Sequence, residues 1–112
     1  MNKKKFYIYQ EDLIRYEVGT GTLTISQFVA ILNKEYGVQG MQKLRTDTIT
    51  NYLCDKGYLV IDDKNRKRPT SKGNLLGIEI GKTVDKLGNE YEVNLYNDRA
   101  REYILDNLYE MI

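Results

Sequence analysis

Several residue types that carry chemistry in small proteins are scarce in this 112-residue chain. It has no histidine and one cysteine, Cys54, which argues against a zinc site and removes the commonest general base. A single cysteine forms no internal disulfide, which is typical of the reducing cytoplasm. No stretch of about 18 apolar residues occurs, so we expect no membrane span. These absences predict a cytoplasmic protein that is not an enzyme and holds no metal or cofactor.

The net charge of +1 conceals an uneven distribution of charge along the chain. Residues 1–55 carry 7 basic and 6 acidic side chains, whereas residues 56–84 carry 7 basic and 3 acidic ones. Residues 85–112 carry 3 basic and 7 acidic side chains. Such asymmetry can orient a protein on a polyanion, although the sequence pI of 7.7 lies below the value of about 9 that is common among nucleic-acid-binding domains.

Apolar residues at helical spacing predict two consecutive helices in the first half of the chain. The first begins at Ser26, a good N-cap residue, and ends at Gly37. The second begins at residues 46–47, both good caps, and ends at residues 56–57. Its buried residues are predicted to be Ile49, Tyr52 and Leu53. A further short helix is predicted over residues 10–17.

The remaining elements are predicted from β-branched and alternating residues. Aromatic and apolar residues at 6–9 indicate a short edge strand. Residues 58–61 are predicted to form a second strand, which leads into a polar hairpin tip at 62–68. Alternating apolar and polar residues predict a second hairpin over 78–95. A final helix, capped by Asn97 or Asp98, extends to about residue 112. Its apolar stripe consists of Ala100, Tyr103, Ile104, Leu108, Met111 and Ile112, with Leu105 and Tyr109 at the edges.

Over roughly residues 24–72 the predicted elements follow the order helix, turn, helix, strand, basic loop, strand. Four sequence segments account for this order. They are Ile25-Ser26-Gln27-Phe28-Val29 with Leu44-Arg45-Thr46-Asp47-Thr48-Ile49-Thr50-Asn51-Tyr52-Leu53, then Cys54-Asp55-Lys56-Gly57-Tyr58-Leu59, and Arg68-Pro69-Thr70-Ser71-Lys72-Gly73. This arrangement resembles the winged-helix family, and in particular the C-terminal DNA-binding modules of phage antirepressors and related mobile-element proteins. The resemblance implies one α+β winged helix-turn-helix domain over residues 1–112, with residues 78–112 adding a β-hairpin and an amphipathic helix.

The same resemblance implies a regulator that contacts duplex DNA through a recognition helix at about 46–56 and a basic wing at 64–68. In a helix-turn-helix, residues near the start of the second helix reach base edges. The candidates there are Arg45, Thr46, Thr48, Thr50 and Asn51, beside Asp47. The basic tip, suited to phosphates or the minor groove, offers Lys64, Arg66, Lys67 and Arg68, with Lys72 beyond it. The alternative interpretation is a capped helix and a solvated tip, since acidic residues adjoin the basic run.

Other interpretations remain open at this point. The near-neutral pI and the acidic C-terminal part favour a protein-binding winged helix, such as a small mobile-element inhibitor of a host nucleic-acid enzyme. An accessory domain of a longer polypeptide is a third interpretation. The broad apolar face of the helix over residues 98–112 either holds a homodimer together or packs on its own domain.

Overall fold

The computed structural model describes residues 4–8 and 21–112, and the helix predicted over residues 10–17 lies outside them. The described residues form an α+β fold with five helices and two antiparallel two-stranded sheets. In chain order the elements are α1 (Ile25–Tyr36), α2 (Thr46–Asp55), β1 (Leu59–Ile61), β2 (Lys67–Pro69), α3 (Ser71–Leu76), β3 (Ile78–Val84), β4 (Glu90–Tyr96), α4 (Asp98–Asp106) and α5 (Leu108–Met111).

Helix α1 begins earlier than its apolar pattern predicts. Its N-cap is Thr24, whose hydroxyl accepts from the Gln27 amide at 3.2 Å while the Gln27 side chain accepts from the Thr24 amide at 2.9 Å. The prediction of Ser26 as the cap was wrong because this reciprocal capping box needs a Glu or Gln three residues after the cap, and Ser26 is followed there by Val29. The helix ends at Gly37 as predicted.

Helix α2 begins at Thr46, but no side chain caps it, and Arg45 occupies the N-cap position. It buries Ile49 and Leu53 as predicted, whereas Tyr52 is only half-buried. The turn before α2 pairs with the N-terminal segment through an isolated parallel bridge between Lys4 and Met41.

No strand forms over residues 5–8, so the predicted edge strand was wrong within the described residues. The aromatic and apolar character of the segment reflects burial instead, since Phe6 and Ile8 are both core residues. Tyr9 lies outside the described residues.

The first hairpin, residues 59–69, pairs Leu59 with Pro69 and Ile61 with Lys67. Its tip is therefore shorter than predicted, because Lys67 and Arg68 belong to β2 rather than to the loop. The hairpin is followed directly by the short helix α3, which Thr70 caps through its hydroxyl.

The predicted second hairpin is present over residues 78–96, where a turn at 85–89 joins two seven-residue strands. Its base is anchored in the core, where the paired residues Ile78 and Tyr96 are both fully buried. Leu23 forms an antiparallel bridge with Tyr96, so the chain just before α1 also lies at this base.

The C-terminal helix is capped by Asn97 as predicted, but it is interrupted at Asn107 and so forms α4 and α5. The central residues of its apolar stripe are buried in the core of this same chain. They are Ala100, Ile104 and Leu108, and Leu105, predicted at the edge of the stripe, is buried with them. Within residues 4–8 and 21–112, no helix has the length and apolar character needed to cross a membrane.

Candidate nucleic-acid interface

A lysine of the first hairpin is bonded directly to the middle of α2. The ammonium of Lys67 donates to the Thr50 hydroxyl and to the Asn51 side-chain oxygen, both at 2.8 Å. Thr50, predicted as a base-contacting residue, is only 9% exposed, which leaves its side chain little access to a base edge. Asn51 stays exposed beside it. The hairpin and the outer face of α2 therefore form one continuous surface.

Both arginines of the first hairpin have counter-charges within the chain. The Arg66 Nε lies 3.0 Å from the Asp62 carboxylate, and one Glu92 oxygen lies 3.8 Å from both Arg66 and Arg68. The Arg68 side chain is only 13% exposed and also donates to Asn94 at 3.4 Å. Since Glu92 and Asn94 belong to β4, the second hairpin lies against the cationic side of the first.

The tip of the first hairpin is organised by the Asp62 carboxylate. It accepts from the backbone amides of Arg66 at 2.8 Å and Lys64 at 2.9 Å. These hydrogen bonds, that from the Arg66 amide above all, lower the pKa of Asp62 below its ordinary value. Asn65 takes a left-handed conformation there, with a φ of 62°. The Lys64 side chain projects from this tip without a partner among the described residues.

A groove of about 460 Å³ runs between the start of α1, the middle of α2, the first hairpin and β4. Its polar lining includes Thr24, Ser26, Asn65, Arg66, Lys67, Glu92 and Asn94. The hydroxyl and amide groups can donate or accept hydrogen bonds, and the cations can bind an anion. The carboxylate of Glu92, on the same rim, opposes the positive charge of these cations.

The start of α2 presents the other predicted residues. The Arg45 side chain is 75% exposed and pairs with Asp47 at 2.9 Å, while Thr46 and Thr48 are half-buried. Lys72 does not join them: its ammonium donates to the Lys56 carbonyl at 2.7 Å, at the opposite end of α2. It also lies 4.4 Å from the Tyr58 ring centre, as in a cation–π contact.

Sequence reasoning missed Lys43 beside Arg45, and it offers Lys3, Lys4 and Lys5 only as additional phosphate contacts without a place in the fold. Lys5 and Lys43, together with Arg45 and Thr48, line a depression of about 230 Å³ whose floor includes Phe6. The signal in the sequence was the run of lysines at residues 3–5. A run of lysines does not by itself indicate which part of the folded protein it lies against. Within the part of the chain that is described, no group of three or more His, Cys, Asp or Glu side chains could hold a metal ion.

Comparison with known protein families, with curated proteins and with solved structures finds no match to this chain. The winged-helix assignment therefore stays a prediction from the sequence, and what the structure adds is an α+β fold.

Proposed function

We propose that this chain is a winged-helix protein that binds duplex DNA, as a regulator from a phage or other mobile element. In this proposal α2 is the recognition helix and the first hairpin is the wing. The observation that supports it most is the contact of Lys67 with Thr50 and Asn51, which joins helix and hairpin into one surface. A duplex that meets α2 would then also meet the hairpin.

The residues of α2 divide into supporting and contacting ones. Thr50 faces inward and, with Lys67, fixes the position of Asn51. Lys67 occupies the side-chain oxygen of Asn51, so the free amide donor is the group available to an acceptor on a base edge. Arg45 projects at the helix start and suits a guanine or a phosphate. Thr46 and Thr48 are short enough to let the helix approach closely.

The hairpin cations supply affinity rather than sequence selection, because phosphate contacts carry no base information. Lys64 is exposed and is in no ion pair among the described residues, whereas Arg66 and Arg68 share the carboxylates of Asp62 and Glu92. Phosphates would have to compete with these carboxylates. We therefore expect modest affinity with a strong dependence on salt.

The test is fluorescence-anisotropy titration of mixed-sequence duplex DNA between about 50 and 200 mM salt, with a single strand of equal length alongside. We expect micromolar or tighter binding to the duplex and a slope of log affinity against log salt near −0.9 for each phosphate neutralised. The absence of duplex binding at the lowest salt would refute the proposal.

A charge-matched pair of variants tests the wing. The triple variant Arg66→Ala/Lys67→Ala/Arg68→Ala should bind all duplexes more weakly and with a flatter salt slope. The control, Lys82→Ala/Lys86→Ala/Arg99→Ala, removes the same charge from exposed positions elsewhere. Equal affinities and slopes in the two folded variants would exclude the first hairpin from the interface.

A protein partner is the second candidate, and the second hairpin favours it. Four large apolar side chains are exposed along that hairpin and its turn, with Leu87 at 87%. The others are Ile80, Val84 and Tyr91. A partner held by these residues would bind with little dependence on salt. A homodimer through residues 98–112 also stays a prediction, to be checked by sedimentation, although the buried part of that face already packs within the chain.

A further inference from the structure

Lys4 is held against the turn before α2 by backbone pairing, and Lys5 follows it directly. The Lys4 amide donates to the Gly40 carbonyl at 2.9 Å, and the Gln42 amide donates to the Lys4 carbonyl at 2.6 Å. Phe6 and Ile8, at 3% and 5% exposure, anchor the segment in the core. The lysines here are thus part of the folded surface, at a fixed place beside the turn that leads into α2.

This pairing assembles a basic cluster from two distant parts of the sequence. We define the N-terminal basic cluster as Lys4, Lys5, Lys43 and Arg45, all of them exposed. Three of them line the depression of about 230 Å³, and no carboxylate side chain among the described residues lines it. Asp47, the ion-pair partner of Arg45, adjoins the cluster.

The balance of charge distinguishes this cluster from the first hairpin. Among the residues that the structure describes, the cluster has four cations, and one of them is paired with a carboxylate, that of Asp47. The first hairpin also has four cations, but the carboxylates of Asp62, Asp63 and Glu92 lie on or against it. A phosphate approaching the cluster meets the larger unopposed positive charge.

We infer that the N-terminal basic cluster binds backbone phosphates of duplex DNA at the start of α2, and is a stronger source of affinity than the hairpin cations. This inference rests on the proposed function. Arg45 and Asn51 are separated by about 9 Å along the helix axis, at 1.5 Å per residue. The cluster lies at the start of α2 and the hairpin contacts its middle, so the two can contact different phosphates of one duplex.

The test compares two charge-matched double variants in the same duplex titrations. Lys5→Gln/Lys43→Gln removes two charges from the cluster, and Lys86→Gln/Arg99→Gln removes two exposed charges elsewhere. For the cluster variant we expect a salt slope flatter by about 2 and at least roughly tenfold weaker binding near 0.1 M salt. The control should keep the wild-type slope. Lys5→Arg/Lys43→Arg, which retains the charge, should bind like the wild type.

Circular dichroism establishes that each variant is folded before its binding is interpreted. Wild-type binding with equal slopes in the two double variants would overturn the inference and leave the proposed function intact. An equal loss of duplex affinity in the cluster variant and in its control would also overturn the inference, because the change in net charge alone would then explain the weaker binding. Absence of duplex binding by the wild type would instead refute the proposed function itself.

Discussion

The side-chain amide of Asn33 satisfies both backbone groups of Leu44. Its Nδ2 donates to the Leu44 carbonyl at 3.0 Å, and its Oδ1 accepts from the Leu44 amide at 2.8 Å. Leu44 is buried at the end of the turn between α1 and α2. One residue of α1 thereby fixes the point from which α2 departs, and with it the position of Arg45 and the residues that follow.

Replacing Asn33 with alanine should destabilise the protein. Two backbone groups beside a buried leucine would lose their partners, at a cost of about 1–3 kcal/mol in the free energy of unfolding. Urea denaturation measures the change, and Lys34→Ala at the exposed neighbouring position is the control. If Asn33→Ala lowers the free energy of unfolding no more than the control does, water replaces the Asn33 side chain without a cost in stability.

Gly73→Ala should also destabilise the fold, against the usual helix preference for alanine. A Cβ at this buried position in α3 would lie 2.1 Å from the Tyr58 carbonyl oxygen, which is backbone and accepts from the Thr70 amide. The helix would have to shift, and we expect about 1–3 kcal/mol, as for other overpacked sites. Thermal denaturation compares it with Asn74→Ala on the exposed face of the same helix. Equal midpoints for the two variants would contradict the close approach of α3 to Tyr58.

Glu92→Gln should tighten binding to duplex DNA if the proposed function is correct. The change removes the carboxylate that lies 3.8 Å from both Arg66 and Arg68, so phosphates would no longer compete with it. We expect a several-fold gain at about 50 mM salt that shrinks toward 200 mM as salt screens these charges. Anisotropy titration compares it with Glu90→Gln, an exposed acid on the same strand. The same gain in both variants would attribute the effect to net charge instead.

Both hairpin turns should weaken in acid. Backbone hydrogen bonds, chiefly from the Arg66 and Asn89 amides, lower the pKa values of Asp62 and Asp85 below their ordinary value of 3.8. A carboxyl group whose pKa is lower in the folded protein than in the unfolded chain contributes to the free energy of unfolding. That contribution is complete at pH values above the pKa of the unfolded chain, and it is lost as the pH falls through the pKa of the folded protein. We therefore expect stability to be constant in this respect above about pH 5 and to decline below about pH 4.

NMR titration of the two carboxyl groups and of the Arg66 and Asn89 amides measures this effect. The double variant Asp62→Asn/Asp85→Asn should lose that part of the pH dependence. If the variant and the wild type lose stability in parallel below pH 4, other carboxyl groups are responsible.

Local chemistry was enough to predict most of the elements. Helical spacing of apolar residues marks α1 and α2, Gly37 ends α1, and Asn97 caps α4, because each signal acts within about four residues of the backbone it controls. The turn of the second hairpin follows from its polar residues in the same way. The predicted cap at Ser26 was wrong because the residue three positions after the cap decides where the capping box forms.

The surroundings of the charged residues were decided by packing. Lys67 meets Thr50, and Arg68 meets Glu92, only because the two hairpins and α2 lie together. Likewise, Arg101 is buried at the base of the second hairpin, where it donates to the carbonyls of Gly21 and Tyr96.

The sequence therefore determined which segments are helices, strands and turns, since their signals are local. It also supplied the basic residues and the local ion pair of Arg66 with Asp62. The tertiary structure decided the contacts between elements, such as those that bring Glu92 of the second hairpin to Arg66 and Arg68 of the first. The assembly of Lys4 and Lys5 beside Lys43 and Arg45 is of this kind. No periodicity encodes such contacts, because they depend on how the buried apolar faces of separate elements fit against one another.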